Sequence, residues 1–273
     1  MDSSLQIDLV PCLNDNYAYL LHDMSSGVTG IVDPGEVGPV VRALEAKGYT
    51  LDFIFNTHHH ADHTGGNLGL KKKYDAKVVG PKVDKARIPG IDIPLSDETW
   101  KFGNHEFRAI FTPGHTLGHV CYYFPESKAV FTGDTLFSVG CGRVFEGTMD
   151  QMWSSLSTLS LLPEDTRAFV GHEYTAVYLS VKHLIPLTCG NQSNIRFAVT
   201  VEPHNEDLLS QRQLVEQLRQ KGQPTIPTTI GQENSFNPFL RPFVESVRQS
   251  LNKSASENNV EVFTALRLAK DKF

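Results

Sequence analysis

Thr57-His58-His59-His60-Ala61-Asp62-His63 follows an apolar stretch, Leu51-Asp52-Phe53-Ile54-Phe55, and places ligand-type side chains at the spacing H-x-H-x-D-H. Imidazoles packed this densely repel one another once protonated and solvate poorly in a folded chain, so a metal site is the natural reading. If the backbone stays extended from His58 to His60, strand alternation puts those two rings on one side and His59 on the other. His59 is therefore excluded as a ligand. Asp62 and His63 fall on the turn into a predicted helix, Gly66 to Tyr74, and approach from a second direction. One short motif can feed two ions.

Further ligands follow from the same local pattern, an apolar strand ending in small or turn-forming residues and then at once a ligand-type side chain. Phe107 to Phe111 runs into Thr112-Pro113-Gly114-His115, Val130-Phe131 into Thr132-Gly133-Asp134, and Phe169-Val170 into Gly171-His172. Glycine permits sharp turns and close backbone approach, so strand ends along one sheet edge can deliver His115, Asp134 and His172 to a common point. The set becomes His58, His60, Asp62, His63, His115, Asp134 and His172. Imidazole and carboxylate suit zinc, iron and manganese, and the lack of thiolates argues against a closed structural zinc site. Seven ligands shared by two ions, one carboxylate bridging, leave positions open for water and describe a catalytic centre. Two divalent ions about 3.5–4 Å apart lower the pKa of a shared water toward neutrality and orient it, so no Ser or Cys nucleophile is needed. A thiol with pKa near 8.5 leaves without a strong protein acid, so the centre suits thioesters better than amides.

The chain has 273 residues, of which 40% are hydrophobic, enough for a substantial core in one large or two modest domains. A net charge of −6 argues against a general nucleic-acid binder. Cys12, Cys121, Cys141 and Cys189 form no C-x-x-C pair and are too few to staple the chain, which fits a reducing compartment. No apolar run reaches membrane-spanning length and the first residues show no basic stretch followed by an apolar one, so neither secretion nor membrane spanning is expected. A cytoplasmic or mitochondrial, non-secreted, monomeric protein is expected.

Short strands are predicted at Leu5 to Val10, Tyr17 to Leu21, Gly30 to Val32, Phe53 to Phe55 and Lys77 to Val79, with a helix from Val37 to Gly48. Hairpins are predicted about Gly103-Asn104 and Pro125-Glu126-Ser127. Thr148-Met149-Asp150-Gln151 reads as a capping box opening a helix through Met152, Leu156 and Leu159. Beyond Tyr174 the pattern is mainly helical, with Asn205 capping a helix to Lys221, a Pro/Thr-rich connector from Pro224 to Thr229, and a terminal helix from Val260 to Lys272. The domain boundary is placed near Thr175, giving residues 1–175 and 176–273.

With these residues assembled, the chain resembles the metallo-β-lactamase superfamily and, within it, the glyoxalase II (hydroxyacylglutathione hydrolase) family. Besides the metal motif, the resemblance rests on Leu9-Val10-Pro11-Cys12 with Asp15-Asn16-Tyr17, Pro113-Gly114-His115-Thr116, and Phe131-Thr132-Gly133-Asp134-Thr135-Leu136-Phe137. It continues through Cys141-Gly142-Arg143 with Phe145-Glu146-Gly147-Thr148, Gly171-His172-Glu173-Tyr174-Thr175, Asn237-Pro238-Phe239-Leu240-Arg241 and Lys270-Asp271. The N-terminal strings look most similar to plant organellar members. The resemblance implies an α/β fold, an αββα sandwich followed by a smaller C-terminal helical domain that binds glutathione. It assigns His58, His60, His115 and Asp134 to one metal and Asp62, His63, Asp134 and His172 to the other, with Asp62 and Asp134 as the catalytic carboxylates. Zinc is the expected metal, iron or manganese the alternatives.

The implied reaction is hydrolysis of S-(2-hydroxyacyl)glutathione, chiefly S-D-lactoylglutathione, to glutathione and D-lactate, as in methylglyoxal detoxification. The resemblance places glutathione against Arg143, Phe145, Tyr174, Arg267 and Lys270. The i,i+3 spacing of Arg267 and Lys270 puts both cations on one helix face, able to clamp the glycyl carboxylate; the plainer alternative is that they stabilise a helix C-terminus. Arg143 and Phe145 stand where some members carry Lys and Tyr. Ala176 to about Gln192 looks inserted between Tyr174 and the helix that begins at Asn194. Two other readings compete: a glutathione persulfide dioxygenase of the same superfamily, which uses a single iron, and a non-catalytic isoform whose substrate binding the insertion impairs.

Overall fold

Alternation along β2 (Asn16–Asp23) sets the layers. Tyr17, Tyr19 and Leu21 point into one apolar cluster, and Ala18 and Leu20 point into another on the opposite face. The computed structural model describes residues 4–176 and 193–273. Its first sheet holds, in spatial order, β1 (Leu5–Cys12), β2 (Asn16–Asp23), β3 (Thr29–Val32), β4 (Phe53–Phe55), β5 (Lys77–Pro81) and β6 (Ile91–Leu95). Next come β7 (Glu98–Phe102), β8 (His105–Phe111), β9 (Val120–Phe124) and β10 (Ala129–Gly133), a small hairpin of β11 (Leu136–Phe137) and β12 (Gly140–Cys141), then β13 (Arg167–Val170) and β14 (Thr228–Thr229). The second sheet runs β14-β13-β10-β9-β8-β7.

The inner cluster between the sheets contains Tyr19, Phe55, Phe102, Phe107, Tyr122, Phe131 and Phe169. Outside the first sheet, α1 (Val37–Lys47) and α3 (Asn67–Tyr74) bury Val40, Leu44 and Leu70 against Leu20, Ile31 and Val78. Outside the second, α4 (Met149–Ser160) packs Met152, Leu156 and Leu159 on Val130 and Ala168. The result is the expected αββα sandwich. At about 1.5–3 kcal/mol per buried large apolar side chain, these three clusters dominate its stability.

The remaining helices are α5 (Asn194–Val201), α6 (Glu206–Gln220), α7 (Ile230–Phe236), α8 (Glu245–Ser250) and α9 (Asn259–Lys272). Asn205 caps α6 and the Thr148–Gln151 capping box opens α4, both as the sequence predicts. These helices form the C-terminal helical region, yet packing runs on past residue 175. Ile230 of α7 and Phe263 and Leu266 of α9 share a cluster with α4, and β14 pairs with β13. The boundary at Thr175 therefore stays a proposal about units of sequence. The suspected insertion, except for Ala176, lies outside the described residues, as does Cys189.

Three local readings change. The predicted helix from Gly66 is preceded by a separate short one, α2 (Ala61–Thr64), which carries Asp62 and His63. β6 contains Pro94 and was not expected as a strand; it lies at the sheet edge, where a missing N–H is tolerated. The Pro/Thr-rich connector ends in β14, whose Thr228 and Thr229 form an edge bridge too short to leave a periodic signal.

Candidate metal centre and adjoining cleft

β3, β4 and β5 run parallel, as do β10 and β13, so the carboxyl ends of both sheets open onto one edge. The ends of β4, β10 and β13 deliver His58, Asp134 and His172, while the β8 to β9 connection delivers His115. Two glycines make this crowding possible. A Cβ on Gly171 would lie 2.5 Å from Asp134 Oδ1, and Gly133 has φ +46 with Thr57 Oγ1 2.4 Å from where its Cβ would stand.

All seven residues converge. His60 Nδ1 lies 3.1 Å from both His58 Nε2 and His115 Nε2, and His63 Nε2 lies 3.2 Å from His172 Nε2. Asp62 Oδ2 is 3.4 Å from both His63 Nε2 and His172 Nε2. Asp134 stands between the groups: Oδ1 is 3.4 Å from His63 and His172, and Oδ2 is 3.4 Å from His115. Three mutually close imidazole nitrogens cannot all be satisfied by protons shared in pairs. Separations of about 3.3 Å are instead the edge of a tetrahedron of nitrogens around zinc at about 2.0–2.1 Å. Asp134 Oδ1 is buried and accepts no hydrogen bond, an orphaned charge that a cation would satisfy. The donor set fits two divalent ions.

β4 ends at Phe55 and the backbone bends at Thr57 and His58, so strand alternation does not bring His58 and His60 together. The loop does so, and His60 offers Nδ1 where the others offer Nε2. His59 turns away, its Nδ1 3.0 Å from the buried Asp84 carboxylate.

Electrostatics agree with the geometry. Burial and the neighbouring rings hold His58 well below its ordinary pKa, and burial lowers His60 and His115. Burial also opposes protonation of His63, but Asp134 and Asp33 overcome it and raise that ring to about 10. His172 is raised likewise, with Asp134 the main opponent of burial. Burial works against ionisation of Asp134, yet His172 and His63 hold its carboxyl low. Such a field selects a multivalent cation.

Sequence reasoning missed the residues that orient the ligands. Asp33, at φ +49 after β3, accepts from Thr57 N and Thr57 Oγ1 and meets His63 Nδ1 at 3.1 Å. Asp33 also lies within ligand reach of His58 and His63, but its oxygens are already engaged, so it serves as an orienting group. Asp15 Oδ1 meets His172 Nδ1 at 2.9 Å, Asn16 Nδ2 donates to Asp62 Oδ2, and His115 Nδ1 donates to Arg143 O. His119 is fully buried; its Nε2 accepts from Asp134 N, which fixes the bridging residue's backbone. Asp33 left a weaker signal, a carboxylate directly after the apolar Ile31-Val32 and before the turn-forming Pro34-Gly35, whereas at the other strand ends the turn formers precede the ligand.

An open cleft leads away from Asp134 and His115. Arg143, Phe145, Tyr174, Arg267 and Lys270 all line it. Tyr174 stacks on His172 with ring centroids 4.5 Å apart, and Phe145 packs against His115 at 5.2 Å. Arg267 is buried, donating to Cys141 O and to Asp271 Oδ1. Lys270 Nζ donates to Ser193 O, and burial with help from Arg267 and Arg143 lowers it to about 8.

The family model for the metallo-beta-lactamase superfamily matches residues 14–172, and that for the hydroxyacylglutathione hydrolase C-terminus matches residues 190–273. The hydroxyacylglutathione hydrolase of Methylococcus capsulatus is 46% identical over 98% of this chain and 99% of its own length. That of Maricaulis maris is 42% identical over 99% and 100%. Among solved structures, ETHE1 from Myxococcus xanthus aligns with a TM-score of 0.65 over 96% of this chain and 90% of its own, at 23% identity, a likeness of fold alone. With a metal-fitting cluster at one sheet edge, a cationic cleft beside it and relatives matched end to end, the chain belongs to the hydroxyacylglutathione hydrolase (glyoxalase II) family of the metallo-beta-lactamase superfamily.

Proposed function

We propose that this protein hydrolyses S-(2-hydroxyacyl)glutathione thioesters, chiefly S-D-lactoylglutathione, to glutathione and a 2-hydroxy acid. The observation that carries the reading is Asp134, whose two oxygens face two separate ligand groups beside a cleft lined with cations. His58, His60, His115 and Asp134 would hold one divalent ion, and Asp62, His63, His172 and Asp134 the other. Zinc fits best, with iron or manganese as alternatives. When bound, the ions supply Lewis acidity for the carbonyl and acidify water.

The chain's own groups do the rest. The orienting partners Asp33, Asp15 and Arg143 O fix which nitrogen each of His63, His172 and His115 presents to the centre. Asp62, whose side chain is 40% exposed, orients the attacking water and leads its proton toward solvent. Arg143, Arg267 and Lys270 draw the peptide carboxylates into the cleft, and the rings of Phe145 and Tyr174 wall the reacting bond from bulk water. The thiolate departs without a protein acid.

Among the described residues no helix is long and apolar enough to cross a membrane, and Cys12, Cys121 and Cys141 are free and buried. A monomer in a reducing compartment, cytoplasmic or mitochondrial, is the matching proposal. Neither the persulfide dioxygenase nor the non-catalytic reading is favoured. Metal analysis combined with thioester hydrolysis on one purified sample tests the function: release of D-lactate that disappears on chelation is expected. Oxygen uptake with glutathione persulfide and an inert thioester would overturn it.

A further inference from the structure

The β11–β12 hairpin walls the cleft with Phe137 and Cys141, and Phe137 also packs its ring against Tyr174 and His172. So short a hairpin cannot satisfy its own backbone. Side chains from the C-terminal helical region do it instead: Asn194 Nδ2 donates to Ser138 O, Asn237 Nδ2 to Phe137 O and Gly140 O, and Arg267 to Cys141 O. Among the described residues, the one N–H held this way belongs to Val139, which donates to Glu233 Oε2 at 2.8 Å.

Both partners in that bond are unusual. Val139 has φ +58, a left-handed conformation that a β-branched residue adopts only under constraint. Glu233 is fully buried, and the groups that bond its carboxylate are neutral donors: Val139 N, Asn237 Nδ2 and Thr228 Oγ1. Burying a carboxylate is costly, and burial pushes this one up to about 7. A costly group holding a strained residue at the tip of a cleft wall is the arrangement expected where geometry matters more than stability.

We infer that Glu233 is a positioning residue for substrate, holding Val139 left-handed so that the β11–β12 hairpin keeps Phe137 and Cys141 in place along the peptide-binding cleft. This rests on the proposed glutathione thioester activity and adds a group outside the cleft that sets its shape. The role needs a hydrogen-bond acceptor at Oε2; it does not need charge. Glutamine supplies that acceptor and can donate to Thr228 from the other position. Glycine at 139 would adopt the left-handed conformation unaided.

The test uses the metal-loaded full chain, with S-D-lactoylglutathione and a lactoyl thioester of a simple thiol that lacks the peptide. For Glu233→Ala, KM for the glutathione thioester is expected to rise roughly tenfold, with metal content and turnover of the peptide-free thioester retained. Glu233→Gln should stay near wild type, and adding Val139→Gly to Glu233→Ala should restore most of the lost affinity. An unchanged KM in Glu233→Ala, or a raised KM that Val139→Gly does not relieve, overturns the inference. If Glu233→Ala does not fold, Glu233→Gln decides, since a raised KM there would show that charge is required. A wild-type chain inert toward the glutathione thioester would defeat the proposed function, a result separate from any of these.

Discussion

The metal centre and the cleft beside it are assembled on opposite plans. Four of the seven candidate ligands lie between His58 and His63; of the other three, Asp134 and His172 follow the ends of β10 and β13 and His115 sits on the β8 to β9 connection, all on strands that feed the inter-sheet core. The cleft residues come from segments as far apart as Arg143 and Lys270, brought together by docking α9 and α5 against the β11–β12 hairpin. The first region is local, rigid and bound to the sandwich; the second depends on how one part of the fold sits on another. Changes in the centre should therefore remove metal and turnover together, and changes in the cleft should act on substrate affinity.

The strongest way to break that contrast is Asp134→Ala. Its two oxygens face both ligand groups, so its loss should uncouple the pair, lower metal content and reduce hydrolysis to background together. Metal analysis and thioester turnover on the same sample check this. Retention of two ions per chain with near-normal turnover would show that Asp134 does not bridge.

A smaller effect, confined to affinity, is expected in the cleft. Lys270→Ala should raise KM for the glutathione thioester roughly tenfold, the size of one charge-assisted hydrogen bond, and leave a peptide-free thioester nearly unchanged. Arg267→Ala should also destabilise the fold by about 2–3 kcal/mol, because buried Cys141 O loses its donor. The lysine carries a pH signature as well. Lowered to about 8 by burial, Arg267 and Arg143, it loses its proton as pH rises through that value, so KM should climb above it. The lysine's own share of stability should move the other way. Its folded pKa lies below the ordinary 10.5, so at this group the unfolded chain binds more protons between about 8 and 10.5, and its contribution rises with pH across that window, while the buried thiols of Cys121 and Cys141, raised by burial, pull the total down. The difference in stability between wild type and Lys270→Ala isolates it, and a difference that falls as pH rises above 8 would contradict the assignment.

What could be read from the sequence divides along the same line. The inner strands, α1, α4, α6 and α9 have clear periodicity and caps, and the metal motif is contiguous, so their physics is written in neighbouring residues. Asp15, Asn16 and His119 act through partners far along the chain, and a single sequence does not show which residues will meet. The α7 capping box, Thr229 with Gln232, was legible but hidden by the proline-rich connector before it. The face on which His59 points was correctly separated from its neighbours on an argument about strand geometry that the loop does not obey.

His59 gives a milder test of the centre. Its ring meets buried Asp84, which keeps Arg87 as a second partner 2.5 Å away. His59→Ala should therefore leave metal content unchanged and cost about 1 kcal/mol of stability by thermal or denaturant unfolding. Loss of an ion in this variant would restore His59 to the ligand set.

The smallest effect, and the one that bears on both regions at once, is expected from removing residues 176–192. The flanks are already joined: Asn194 N donates to Tyr174 O at 2.9 Å, and Ile195 N donates to Thr175 O at 3.2 Å. If Thr175 were linked directly to Ser193, both bonds would become i to i+3 bonds, the pattern of a turn entering a helix. Loop-closure entropy changes by only about 0.6 kcal/mol per doubling of length, so neither keeping nor deleting the segment should decide whether the chain folds. What the segment does separate is His172 and Tyr174, at the centre and cleft, from Asn194, which holds Ser138 O in the cleft wall. Deleting it should leave metal content and unfolding temperature near the full-length values and bring a modest rise in kcat/KM for the glutathione thioester. Equal or lower kcat/KM in the deletion would show that the segment is a working part of the protein.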